Sequence, residues 1–158
     1  MNQKGFTLIE LVMVIVLIAI IAVVAAPRLG NVSSVKAAAF RDKLKTDIRY
    51  AQNLAMTQNR RYRVYFNGNP APAAGYAVVY DTSGGTWASY GYAQDPAISG
   101  NLSVTLNSGD YAGITAAATA NPVEFNSLGR LMSAATVTVT VSPGGSTITI
   151  QTETGAVN

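Results

Sequence analysis

From position 6 to position 26 the chain is apolar at almost every residue, and the one charge in the run is Glu10. No polar face recurs at helical spacing, so a helix here needs apolar surroundings on every side. At 1.5 Å per residue it reaches roughly 30 Å, the hydrocarbon thickness of a bilayer. The pattern predicts a membrane-spanning helix over 6–26. Pro27 then removes a backbone donor and disfavours helix at Ala26, and Gly30 adds backbone freedom, so a kink is expected at Pro27 and Gly30.

A helical period returns between Val32 and about Asn59. Ala37, Phe40, Leu44, Ile48, Ala51 and Ala55 recur every three or four residues and form one apolar stripe. Arg41, Lys45, Arg49 and Gln52 fall on the opposite side, which reads as a solvated face. Lys43 and Asp47 have the i,i+4 spacing of a surface ion pair worth a few tenths of a kcal/mol.

After Asn59 the period changes to two. Tyr62, Val64 and Phe66 alternate with Arg61, Arg63 and Tyr65, the pattern of a strand. A turn at 67–70 leads to a second strand over 76–80, and the stretch 87–92 suits a third, with Trp87, Tyr90 and Tyr92 expected to pack on the core, or alternatively to form an exposed protein-binding patch. Leu102, Val104 and Leu106 alternate again, and 123–125 is a short strand. Residues 111–120 are small and rich in Ala and Thr, a pattern that is ambiguous between loop and strand. The last hairpin is the clearest: Val137, Val139 and Val141 alternate with Thr, a Pro-Gly-Gly turn follows, and 147–151 returns. The predicted fold class is α+β. A long N-terminal helix, transmembrane in its first half and amphipathic in its second, packs on an antiparallel β-rich head. The expected organisation is 1–5 as a leader, 6–26 as the apolar helix, 27–60 as the amphipathic helix and 61–158 as the head.

Composition removes most catalytic chemistry. The 158 residues include no Cys and no His, which excludes disulfides, thiol nucleophiles, Cys/His zinc sites and a Ser-His-Asp triad. The carboxylates of the head form no acidic pair at helical spacing, and Gly84-Gly85 and Gly144-Gly145 lack any nucleotide-binding context. The expectation is a non-enzymatic protein without cofactor or metal. Net charge is +3, but Arg60, Arg61 and Arg63 interleave with Tyr62 and Tyr65, the one candidate for phosphate binding and base stacking. A strand with outward arginines and inward rings explains the same residues.

The leader supplies the most specific signal. Met1 to Gly5 is a short polar segment with one Lys, and Gly5-Phe6-Thr7-Leu8-Ile9-Glu10 follows before the apolar run. This resembles the signal of type IV pilins and type II secretion pseudopilins. The resemblance implies that a prepilin peptidase cuts between Gly5 and Phe6 and methylates the new amine of Phe6. A carboxylate in hydrocarbon is costly unless paired. Glu10 would pair with the Phe6 ammonium of a neighbouring subunit when identical helices pack head to tail, so Phe6 and Glu10 are the expected assembly residues.

Ala51-Gln52, Val64-Tyr65-Phe66, the run 123–130 from Val123 to Arg130, and the closing Thr154-Gly155 resemble the GspH/FimT group of minor pseudopilins and minor pilins. This implies a sandwich-like head of two sheets against the helix. The chain departs from related groups in three ways. It lacks the paired Cys of major pilins. It has no Asp after Asp110 for the calcium loop of the major pseudopilin. It ends Gly155-Ala156-Val157-Asn158 where DNA-binding FimT-like pilins carry a Gly-Arg-x-Arg, which takes nucleic acid out of the expected partners.

The resemblance implies a structural minor pseudopilin of a type II secretion system, or alternatively a FimT-like minor pilin of a type IV pilus. Implied partners are other pilin-like subunits, the prepilin peptidase, inner-membrane lipid and assembly-platform proteins. The implied location is the inner membrane, crossed once, with the head in the periplasm.

Overall fold

The computed structural model describes residues 7–29 and 32–158. It divides into two compact units, Met1–Ser33 and Ser34–Asn158. In the first, helix α1 spans Leu8–Leu29 and runs through Pro27 without interruption. Gly30, the other half of the expected kink, lies outside the described residues, as do Gly5 and Phe6.

Helix α2 (Val32–Thr57) runs into the second unit, and its stripe packs as its spacing predicts: Ala37, Phe40, Leu44, Ile48, Ala51 and Ala55 are buried. Eight strands follow among the described residues: β1 (Tyr62–Phe66), β2 (Gly75–Asp81), β3 (Tyr90–Tyr92), β4 (Ser103–Thr105), β5 (Thr115–Ala118), β6 (Val123–Phe125), β7 (Val137–Ser142) and β8 (Ser146–Ile150). All pairings are antiparallel. One sheet has the order β3-β2-β1-β6, with β4 also paired to β2, and the other is β5-β7-β8. The register sets Tyr62 opposite Tyr80, Val64 opposite Val78 and Phe66 opposite Tyr76. Tyr62, Val64, Phe66, Tyr76 and Val78, the Val and Ile rows of β7 and β8, and the α2 stripe form one buried cluster, with Tyr80 packed against it. Alternation has put the apolar face of each sheet and the stripe of the helix into the same core.

The ambiguous stretch 111–120 resolves into structure: a single 3-10 turn at Gly109–Tyr111 precedes β5, which pairs with β7 from Thr115 opposite Ser142 to Ala118 opposite Val139. Its small residues carry weak strand preference, and the open edge of the β7–β8 hairpin supplies the pairing that makes it a strand. The third strand is shorter than 87–92, because Trp87 sits outside it with φ 58°. The chain there turns back over the sheet's outer face and takes the indole away from the core.

Candidate functional site

The first candidate is α1 itself. Every large apolar side chain described along it is exposed, from Leu8 at 81% to Val23 at 76%. Such a surface requires lipid or protein around it. Thr7 and Glu10 stand in the Thr-x-x-Glu spacing of a capped helix start: the Glu10 amide donates to Thr7 Oγ1 at 3.3 Å and to the Thr7 carbonyl at 3.1 Å. Glu10 also places a carboxylate in the first turn, where the helix dipole favours it. Among the described residues no helix is long and apolar enough to cross a membrane. The expected span 6–26 begins at Phe6, outside the described residues.

The candidate arginines of the head are drawn into its own structure. Arg63 lies directly across from Glu124 on the neighbouring strand. It donates from Nε to Glu124 Oε2 at 2.8 Å, with Nη2 at 2.7 Å from the same oxygen. Its guanidinium stacks 3.9 Å from the centre of the Trp87 ring, and the Trp87 indole donates to Glu124 Oε1 at 3.2 Å. Arg61 approaches the same carboxylate at 3.6 Å and donates to the Gly85 carbonyl. One acid thus holds two arginines and the indole, a charge-assisted network on the outer face of the first sheet. Trp87 caps that network and does not enter the core.

Arg60 is exposed over the Tyr80 ring at 5.5 Å. Arg60 and Arg61 border an open cavity of about 310 Å³ whose lining also contains Asp81. A carboxylate in that lining opposes a phosphate. Asp81 belongs to the loop's own scaffold, accepting from the Ser83 amide at 2.7 Å, the Ser83 hydroxyl at 2.6 Å and the Gly85 amide. Burial pushes its carboxyl up, but the Ser83 donors and then the Gly85 amide outweigh this and hold it below the ordinary range.

The polar side of α2 is not a purely solvated face. Arg49 donates to the Val157 carbonyl at 2.7 Å from Nη2, and Gln52 donates to the carbonyls of Gly129 at 2.8 Å and Thr154 at 3.3 Å. These bonds fasten the 126–130 loop and the C-terminal segment to the helix. Gly155 is left-handed at φ 67°, and a Cβ there would meet the Gly129 carbonyl oxygen at 2.2 Å. The Lys43–Asp47 pair is more than a surface contact. Asp47 is buried and accepts from Lys43 Nζ at 2.6 Å and from the Tyr76 hydroxyl on β2. Burial, and then the Asp47 charge, push the Tyr76 phenol well above its usual range.

Sequence reasoning missed Asp47–Tyr76, Glu124 as the hub for both arginines, and the Gln52–Gly129–Gly155 clasp. Each joins residues far apart in the chain, and the only local sign was a polar residue placed between core positions. Among the described residues no group of three or more His, Cys, Asp or Glu is placed to hold a metal.

An apolar helix at the N-terminus, and an α+β head in which a second helix packs on antiparallel sheets, define a type IV pilin-like protein. Residues 1–26 match the prokaryotic N-terminal methylation motif, and residues 41–155 match the type II transport protein GspH. The chain belongs to the GspH family. Its fold is similar to the minor pseudopilin EpsH of the Vibrio cholerae type 2 secretion system, with TM-score 0.55, 10% identity, and coverage of 78% of this chain and 94% of that one. It is also similar to the type IV minor pilin FimU of Pseudomonas aeruginosa, with TM-score 0.50, 16% identity, and coverage of 81% and 87%. No curated protein matches the sequence.

Proposed function

We propose that this chain is a structural, non-enzymatic minor pseudopilin of a type II protein secretion system. The observation that carries the reading is the pairing of an N-terminal methylation motif over 1–26 with a GspH match over 41–155 of the same chain. In this reading a prepilin peptidase removes residues 1–5 and methylates Phe6. Residues 6–26 anchor the chain in the inner membrane with the head in the periplasm, and an assembly platform moves it into a filament with other pilin-like subunits. Glu10 neutralises the Phe6 ammonium of a neighbour, and the apolar surface of α1 passes from lipid to the filament core without meeting water.

The head contributes shape and contacts. Arg60, Arg61 and Arg63 are paired or stacked within the fold, which favours a protein scaffold over a nucleic-acid binder. A deletion strain tests the assignment: secretion of folded proteins is expected to fail while twitching motility stays normal. Normal secretion with lost twitching assigns the chain to a type IV pilus instead.

A further inference from the structure

The first sheet ends at β3, which pairs with β2 on one side only. The Ser89 carbonyl accepts from the Thr82 amide at 3.2 Å, and the Ala93 amide donates to the Val78 carbonyl at 2.9 Å. Residues two apart on a strand turn their backbone groups to the same side. Ser89, Gly91 and Ala93 therefore face β2, and the amides and carbonyls of Tyr90 and Tyr92 face away from it. This is an open edge, a template for a strand of another chain. Residues 87–94 contain neither a proline nor a charge, the usual guards of such an edge.

Between α2 and this edge lies an open cavity of about 370 Å³. Its lining includes Tyr50 and Gln58 of α2, then Arg60, Tyr62 and Tyr80, and it reaches the edge at Tyr92. Tyr80 stands directly opposite Gly91. A Cβ on Gly91 would lie 2.5 Å from the Tyr80 ring, so the ring lies over the edge strand at its one position without a side chain and forms the cavity wall there. Arg60 is the one charged residue in the lining. It is exposed, its guanidinium stands 5.5 Å from the centre of the Tyr80 ring, and it has no ion pair among the described residues. The Tyr62 hydroxyl is already used, donating to Gln58 Oε1 at 2.8 Å. The cavity thus offers a cation on an aromatic wall and no carboxylate to answer it.

We propose that this edge and cavity take an extended strand of a different pilin-like subunit, which carries an acidic side chain into the cavity against Arg60. Backbone pairing at Tyr90 and Tyr92 supplies the affinity of such an added strand, and alternate side chains supply the specificity. Paired residues share a face of the sheet, so the incoming residue beside Gly91 points to the helix side. There its carboxylate meets Arg60 and its methylenes meet the Tyr80 ring. The residues before and after it point to the other face, onto Tyr90 and Tyr92. Those two rings meet edge to face at 5.9 Å, and Tyr90 is 43% exposed, so apolar side chains suit these places. The recognised pattern is apolar, acidic, apolar. The contact is one-to-one and needs no second copy of this chain. It rests on the assembly reading above and names the surface by which the head meets its neighbour.

The probe is the capped peptide acetyl-Thr-Val-Glu-Val-Thr-amide, added to the isotope-labelled full chain in detergent micelles. Amide NMR is expected to show saturable binding, with the Tyr90 and Tyr92 amides shifted and protected from hydrogen exchange. Arg60→Glu should weaken binding of this peptide several-fold, and the same peptide with Lys in place of Glu should recover it. Tyr90→Pro removes an outward amide and leaves the bonds to β2 intact, so it should abolish binding, whereas Tyr90→Thr keeps the amide and should retain most of it. Unchanged Tyr90 and Tyr92 amides at saturating peptide overturn the proposal. So does binding that ignores the charge exchange, or displacement of the peptide from these amides by a short oligothymidine. The deletion strain reads the assembly assignment separately. Peptide binding with unimpaired secretion in that strain contradicts the assignment alone, and lost secretion without peptide binding contradicts the docking alone.

Discussion

The hydroxyl of Tyr76, at the start of β2, donates to the buried carboxylate of Asp47 on α2. Lys43 reaches the same oxygen at 2.6 Å from one turn earlier. The three residues tie helix to sheet at a point where the surrounding side chains are apolar, so the carboxylate has no water to fall back on. Removing it leaves Lys43 and Tyr76 without their acceptor. Asp47→Ala is expected to destabilise the head by about 2–3 kcal/mol, at or just under the roughly 3–5 kcal/mol of breaking a fully buried pair, because Lys43 is partly solvated. Urea unfolding followed by circular dichroism checks this, with Asp42→Ala, exposed on the same helix, expected to change little.

Alkaline pH should unfold the head through its buried phenols. Burial first, then the neighbouring Tyr80, push Tyr62 from 10.0 up to about 12. A raised phenol pKa means the folded state keeps a proton that the unfolded state releases. The stabilisation is complete below pH 10 and is lost as pH rises from about 10 to 12. Tyr76 is raised in the same sense. Stability measured against pH should fall above pH 10, and Tyr62→Phe should flatten part of that fall.

The clasp at the C-terminus makes Gly155 intolerant of a side chain. Gly155→Ala both forces a left-handed alanine and drives its Cβ into the Gly129 carbonyl, so a loss of about 2 kcal/mol or more is expected. Gln52→Ala removes donors to Gly129 and Thr154 and should cost about 1 kcal/mol. Thermal unfolding of the two variants, compared with Gly113→Ala where a Cβ meets nothing within 4 Å, separates steric clash from backbone strain.

Trp87 is the chain's one tryptophan, so its fluorescence reports the Arg63–Glu124 network directly. Glu124→Gln keeps the volume but weakens the hold on both arginines and on the indole. A red-shifted emission with a loss of about 1–2 kcal/mol is expected. Unchanged emission would mean that the indole is held by its loop alone.

The elements set by local periodicity were legible. The α2 stripe buries at the spacing its sequence shows, and the Val/Thr alternation of 137–141 gives β7 with its valines inside. What periodicity could not show was pairing across long separations. The Ala/Thr stretch became β5 because β7 offered an edge, and Arg63 met Glu124 because β6 returns beside β1. Trp87 was misread because a ring in an aromatic-rich run looks like core, whereas a left-handed residue before the strand turned it outward. The basic face of α2 was misread for a related reason: the acceptors of Arg49 and Gln52 are backbone carbonyls, which no side-chain pattern reveals.

The central claim is that the chain works as a filament subunit through its N-terminal helix, with Glu10 as the pairing charge. The most direct measurement is fractionation of cells producing Glu10→Leu, followed by shearing and immunodetection. The account predicts that the variant remains in the membrane fraction at the wild-type level and is absent from sheared filaments. Glu10→Leu recovered in filaments as abundantly as the wild type would contradict it.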